Sequence, residues 1–255
     1  MRRTGPARTI RLAALTAALF ALLLPTAAGA DTATPSPGAS GNKITFTVGI
    51  LNDIDSLNPY TGILAESYEV YQLMYGYLVD NAAKDFAPTG DLATSWTTSP
   101  DGKTWTYTIR SGVKWSDGVP LTASDVAYSF NRVMKGEYEQ TNYGNYVTNI
   151  ASVTATNPTT VVMVTKVPTP IMTHLLVPIL PEHVWSKISE TAVKSYANDK
   201  NVVGAGPFLL AEHSTGQFVR LVRNPNYYRG EPKIDEVVSN GFEKAWVMDL
   251  IGWVI

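Results

Sequence analysis

The chain has 255 residues, with 20 Lys and Arg, 22 Asp and Glu, three His and no Cys. An apolar share of 45% and a charged share of 16% are those of a folded chain, long enough to bury a sizeable core. The missing Cys exclude disulfides, thiol nucleophiles, iron–sulfur clusters and thiolate zinc sites, and a net charge of −2 gives nucleic acid no basic surface to grip.

Residues 1–30 read as a secretory signal peptide. Arg2, Arg3, Arg8 and Arg11 form a basic start, Leu12 to Leu24 is an apolar run, and Pro25 breaks it. Ala28-Gly29-Ala30 then offers small residues at the positions a signal peptidase reads, so the mature chain is expected to begin at Asp31. The apolar run is shorter than the roughly 20 residues a membrane span needs. With no Cys after it, a lipid anchor on an N-terminal Cys is excluded. The expected destination is the periplasm or the outside of the cell. Cleavage leaves 16 basic and 22 acidic residues, a net charge of −6, which makes nucleic acid still less expected. Residues 31–42, DTATPSPGASGN, are small and polar and read as a flexible linker.

From Ile44 to Ile50, apolar residues alternate with Thr45, Thr47 and Gly49, which predicts a strand with one buried face. The loop NDIDSLNPY follows. Tyr68, Tyr71, Met74, Tyr75 and Leu78 then recur at helical spacing. Ser99-Pro100-Asp101-Gly102 signals a turn, and the alternation behind it predicts a strand that buries Trp105, Tyr107 and Ile109. Asp117-Gly118 marks another turn. Thr122 and Asp125 form a capping box for a helix whose inner face is Ala123, Val126, Ala127, Phe130 and Val133. Two short strands surround Asn157-Pro158. Thr169 is expected to cap a helix with Pro170 at its first position, and a second helix follows Pro181. Phe208 to Glu212, Phe218 to Arg223 and Ile234 to Val238 read as strands, giving a mixed α/β pattern with antiparallel hairpins.

Catalytic constellations do not emerge. His174, His183 and His213 share no ligand spacing, and His174 reads as a partly buried, hydrogen-bonded side chain. Gly204-Ala205-Gly206 precedes Pro207, not a helix, so it is no phosphate loop. Asp53, Asp55 and Asn58 lack the central Gly and distal Glu of a calcium loop and read as Asx-turns. Glu137 and Glu139 read as a solvated face. Tyr143 and Tyr146 sit in the polar stretch QTNYGNYVTNI, read as a loop, and two readings stand for them. They offer rings and hydroxyls to a ligand, or they pack the loop onto the body.

The segment DLATSWTTSPDGKTWTYTIRSGVKWSDGVPLTASDVAYSFNRV, Asp91 to Val133, closely resembles the signature region of family 5 extracellular solute-binding proteins. These are the peptide, dipeptide and nickel binding subunits of ABC importers. The resemblance continues at SLNPY (Ser56 to Tyr60), ILPEHVW (Ile179 to Trp185), VGAGPFLL (Val203 to Leu210) and LVRNPNYYRGEPKIDEVV (Leu221 to Val238). It implies a periplasmic-binding-protein-like α/β fold of two lobes that close on a ligand, without catalysis and without a cofactor or metal. This chain would supply mainly the first lobe. Residues 43–57 and 165–245 resemble its first domain, and residues 58–164 a small inserted domain. The implied partners are an oligopeptide and the membrane permease subunits, and a complete chain would be monomeric. A dipeptide, a nickel chelate or another small solute is the alternative within the family. A sensory or interaction lobe that no longer transports is the alternative outside it.

The resemblance also directs a ligand to Asn52, Asp53 and Ile54, to Tyr143, and to Gly204, Ala205 and Gly206. For Gly204 and Gly206 a tight turn before Pro207 stands as the other reading. Ala205 occupies a position where the family usually has Thr. After Val238 the sequence SNGFEKAWVMDLIGWVI departs from the expected continuation, and residues 246–255 read as an atypical or truncated tail. A chain ending there is expected to lack half the cleft and to hold solute poorly.

Overall fold

The computed structural model describes residues 43–241. The signal peptide over 1–30, the linker over 31–42 and the tail over 246–255 lie outside the described residues.

Two four-stranded sheets organise the chain. In order, the elements are β1 (Thr45–Ile50), α1 (Ala65–Met74), β2 (Val79–Asn81), β3 (Pro88–Gly90), β4 (Ala93–Thr98), β5 (Thr104–Ile109), α2 (Ala123–Lys135) and α3 (Glu137–Val147). They continue with β6 (Ile150–Asn157), β7 (Thr160–Thr165), α4 (Glu182–Trp185), β8 (Phe208–Ser214), β9 (Phe218–Arg223) and β10 (Glu236–Gly241). Short 3-10 turns cover Pro170–Thr173 and Val193–Ser195. The β2–β3 pair is a small separate hairpin.

The first sheet runs β4-β5-β7-β6, every neighbour antiparallel. Its leading turn forms as expected: Gly102 N–H donates to the Ser99 carbonyl at 2.8 Å, and Gly102 takes φ +69°. Tyr107 and Ile109 are buried. Trp105 is only half-buried, against expectation. It sits beside the turn at the end of the sheet, where its indole N–H reaches the Gly102 carbonyl at 3.3 Å. β4, ATSWTT, carries too few apolar residues to announce itself and is drawn in by pairing with β5.

Across this sheet lies α2. Its capping box is closed, with Ser124 N–H donating to Thr122 Oγ1 at 3.2 Å and Thr122 N–H donating to Asp125 Oδ2 at 2.8 Å. Ala123, Val126, Ala127, Phe130 and Val133 are all buried. Beyond Gly136 the chain re-enters helix as α3. Glu139, expected on a solvated face, is instead fully buried, and Arg132 Nε donates to its Oε1 at 2.6 Å. Arg132 also donates to the Ile188 carbonyl at 2.7 Å. Glu137 alone of the two is exposed. Thr169 does not cap with its side chain; its hydroxyl donates to the Val167 carbonyl at 2.7 Å, and only one 3-10 turn follows. His174 is half-buried and its Nδ1 lies 2.8 Å from Asn81 Oδ1.

The second sheet runs β1-β10-β9-β8, with β1 and β10 parallel and the other neighbours antiparallel. Here the predicted buried face of β1 fails at its start. Ile44 is 57% and Phe46 54% exposed, while Ile50 at the far end is buried. The strand is an edge, and among the described residues cover reaches only its C-terminal end.

Candidate ligand cleft along α1

The parallel pair β1 and β10 sets the direction of the second sheet. Their carboxyl ends, Ile50 and Gly241, lie side by side. Loops that leave such ends are where open α/β sheets hold ligands. The loop after β1 leaves from there and leads to α1. Asn52 is exposed, and its Nδ2 donates to Glu66 Oε1 in the first turn of α1 at 3.1 Å. Asp53 accepts from Ile54 N–H at 2.8 Å and, through Oδ2, from Gly216 N–H at 2.6 Å. It therefore ties this loop to the β8–β9 turn. His213 Nε2 lies 3.8 Å from the same oxygen. Ile54 is 5% exposed and belongs to the core, so what it can offer a ligand is backbone.

Asp55 and Asn58 are spent on holding the loop. Asp55 accepts from Ile63 N–H at 2.8 Å and from Ser67 Oγ at 2.6 Å. Burial pushes its carboxyl up, but these donors outweigh it and hold the group below its ordinary value. Asn58 is fully buried and donates to the Val193 and Tyr196 carbonyls at 2.8 and 2.9 Å. Of the three residues read as Asx-turns only Asn58 makes one, Tyr60 N–H donating to its Oδ1 at 2.9 Å; the bonds of Asp55 reach eight and twelve residues along the chain. Among the described residues no group of three or more His, Cys, Asp or Glu converges to hold a metal.

Tyr143 and Tyr146 lie on α3, not in a loop. Gly144 and the polar run disguise the helix, whose Glu137 and Glu139 suit the positive end of its dipole. Tyr143 is 1% exposed. Its ring meets Tyr68 of α1 and Tyr60 edge-to-face, with centroids 6.1 and 6.4 Å apart. Between the helices lies a cavity of about 320 Å³. Tyr68 and Gln72 line it from α1, and Asn142, Tyr143, Asn145 and Tyr146 line it from α3. Tyr77 and Leu176 complete the wall. Asn142 Nδ2 donates to the Gly62 carbonyl at 2.8 Å, which fixes α3 against the loop.

A second cavity of about 380 Å³ shares Gln72, Tyr77 and Leu176 with the first, so the two form one cleft along α1. This end is charged. Arg229 lies 3.0 Å from Asp80 and 3.6 Å from Asp91. Asp91 also accepts from the Tyr228 hydroxyl at 2.6 Å and from Tyr77 N–H at 2.8 Å. Burial nevertheless pushes the Asp91 carboxyl up, against the pull of those donors and Arg229.

Gly204, Ala205 and Gly206 are buried at the C-terminal end of α1, beside the charged cavity. Gly206 N–H donates to the Met74 carbonyl at 2.9 Å, and Ser116 N–H donates to the Gly204 carbonyl at 2.9 Å. Neither glycine has a positive φ. The need is for close approach: a Cβ on Gly206 would run into the Leu73 carbonyl, and one on Gly204 into the Met74 carbonyl. Pro207, the next residue, lines the charged cavity.

All three predicted segments thus meet α1, but at different levels: Asn52 at Glu66, Tyr143 at Tyr68 and Gly206 at Met74. Glu66 and Met74 are separated by roughly 12 Å of helix rise. Tyr143 lines the cleft directly. Sequence reading missed Gln72, Asn142 and Asn145, and it read Tyr68 only as one of a set at helical spacing; the usable signal was polar and aromatic side chains at helical spacing, two on α1 and four on α3.

Residues 87–249 match the sequence profile of bacterial extracellular solute-binding proteins, family 5 middle. The match runs on past Val238, where the resemblance had been expected to end. A Brucella ovis chain named for peptide binding in an ABC transporter is 34% identical over 156 residues, covering 60% of this chain and 29% of its own. Protein XP55 of Streptomyces lividans is 30% identical over 236 residues, covering 91% of this chain and 41% of its own. The solved oligopeptide-binding protein AppA of Bacillus subtilis, in complex with a nonapeptide, superposes with a TM-score of 0.72 at 22% identity, over 82% of this chain and 42% of its own. The chain therefore spans less than half the length of these proteins, and its fold is that of the periplasmic-binding-protein type. It belongs to the bacterial extracellular solute-binding proteins of family 5, a family of binding proteins and not of enzymes.

Proposed function

We propose that this chain is a solute-capturing part of an extracytoplasmic binding protein that serves an ABC importer, taking a peptide as its solute and passing it to membrane permease subunits. The family match over residues 87–249 carries the reading. The cleft along α1 supports it, because it offers aromatic faces and hydrogen-bonding groups without an arrangement for bond breaking. The loop at Asn52 to Ile54 adds the exposed amide side chain of Asn52 just past the carboxyl end of β1, the kind of group that reads a peptide backbone independently of its side chains. Residues 43–57 with 165–245 are proposed as one domain and 58–164 as a domain inserted into it. Dipeptides and nickel chelates are the competing solutes. Calorimetry of the full chain with short peptides, and in parallel with nickel–histidine, tests the proposal. Because the chain spans less than half the length of these relatives, weak but saturable heat with peptides is the expected result; heat with the nickel complex alone would overturn it.

A further inference from the structure

We propose that the tyrosine-lined cavity between α1 and α3 is a specificity pocket that admits an uncharged hydrogen-bonding group of the solute, such as a side-chain amide, and turns away carboxylates and ammonium groups. This rests on peptide capture as proposed above and names the kind of peptide.

No lining residue of the cavity carries a formal charge. The charged groups of the cleft, Asp80, Asp91 and Arg229, belong to the adjoining cavity, where the two carboxylates share the one guanidinium at 3.0 and 3.6 Å. A charged group entering the tyrosine end would give up part of its water without meeting a counter-ion on the lining residues, which is costly. An amide meets the opposite situation. Tyr68, Tyr77, Tyr146 and the solvent-exposed Gln72 and Asn145 line the cavity, and the buried hydroxyl of Tyr143 has no hydrogen-bond partner among the described residues. These groups both donate and accept, and so does a neutral amide. Burial pushes the phenols of Tyr68, Tyr77 and Tyr143 up, so they stay neutral at physiological pH. At about 320 Å³ the space holds roughly ten waters, enough for a side chain. The rings of Tyr68 and Tyr143 supply flat walls for its carbon atoms.

Two experiments on the full chain test this. In the first, tyrosine ring signals are followed by NMR during titration with propionamide, propionate and propylammonium, three probes of similar size and different charge. Propionamide should shift Tyr68, Tyr143 and Tyr146 at concentrations where the two ions do not. Equal shifts from an ion, or no shift from propionamide, overturn the proposal. In the second, calorimetry compares Ala-Gln-Ala with Ala-Glu-Ala and Ala-Lys-Ala. The glutamine peptide should bind at least about tenfold more tightly. Equal affinities overturn the pocket's selectivity and leave peptide capture standing. If propionamide enters the pocket but no peptide binds, peptide capture falls and the pocket stands.

Discussion

The two four-stranded sheets are built on opposite plans. In β4-β5-β7-β6 each strand pairs with partners inside residues 93–165, and α2 lays its apolar face across them. In β1-β10-β9-β8 the first strand pairs with the last, Thr45 opposite Glu236 and Ile50 opposite Gly241. The first sheet closes its own ladder. The second leaves Ile44 and Phe46 exposed among the described residues, and it presents the strand ends from which the candidate binding loop springs. Regions that close themselves are set by nearby sequence.

Paired phenylalanines give the largest test of this contrast. Phe130→Ala removes a ring that is fully buried against the first sheet and should cost about 3–5 kcal/mol in urea unfolding. Phe46→Ala on the second sheet should change stability by no more than about 0.5 kcal/mol. Equal costs would break the comparison. Next comes Gly206→Ala, which forces a Cβ against the Leu73 carbonyl and should cost on the order of 1–3 kcal/mol in the same assay. A neutral result would mean that α1 and the segment before β8 are free to separate. Thr122→Ala should cost about 1 kcal/mol, by opening the cap of α2. The smallest effect is one of pH. Asp55 is held below its ordinary value of 3.8 by Ser67 and the Ile63 and Leu64 amides, against burial. A depressed carboxyl contributes stability that is full above about that pH and is lost as pH falls through the lowered value. Wild type and Asp55→Asn should therefore differ by a constant amount at neutral pH and converge below pH 3.8. A gap that persists into acid would show that Asp55 acts only by shape.

What the sequence disclosed follows the same division. β5, its turn and the capped helix α2 are legible because alternation, Asp-Gly and Thr-x-x-Asp are local signals read by nearest neighbours. β8 and β9 are legible for the same reason. Glu139 was not, because its partner Arg132 reaches it across the bend at Gly136, and only the fold buries both. The helix holding Tyr143 was masked by Gly144 and by polar neighbours that turn out to line a cavity. The close approach of Gly204 and Gly206 to α1 could not be seen either. Their partners, Leu73 and Met74, lie far away in sequence. The cleft is thus assembled from residues whose individual patterns look like loop or core, and it becomes visible only once α1 and α3 are side by side.

The pairing of β1 with β10 also dictates an order of events. Residues 45–50 cannot enter their ladder until residues 236–241 have arrived, whereas the 93–165 sheet needs no later part of the chain for its own strand pairing. Contacts of such long sequence separation are slow to form, because the intervening loop must close first. On a chain that emerges from its N-terminal end, β1 therefore spends the interval as an unpaired strand with apolar side chains on show. That makes the earliest-made strand the last to be secured, and the one most exposed to wrong partners and to proteases while it waits.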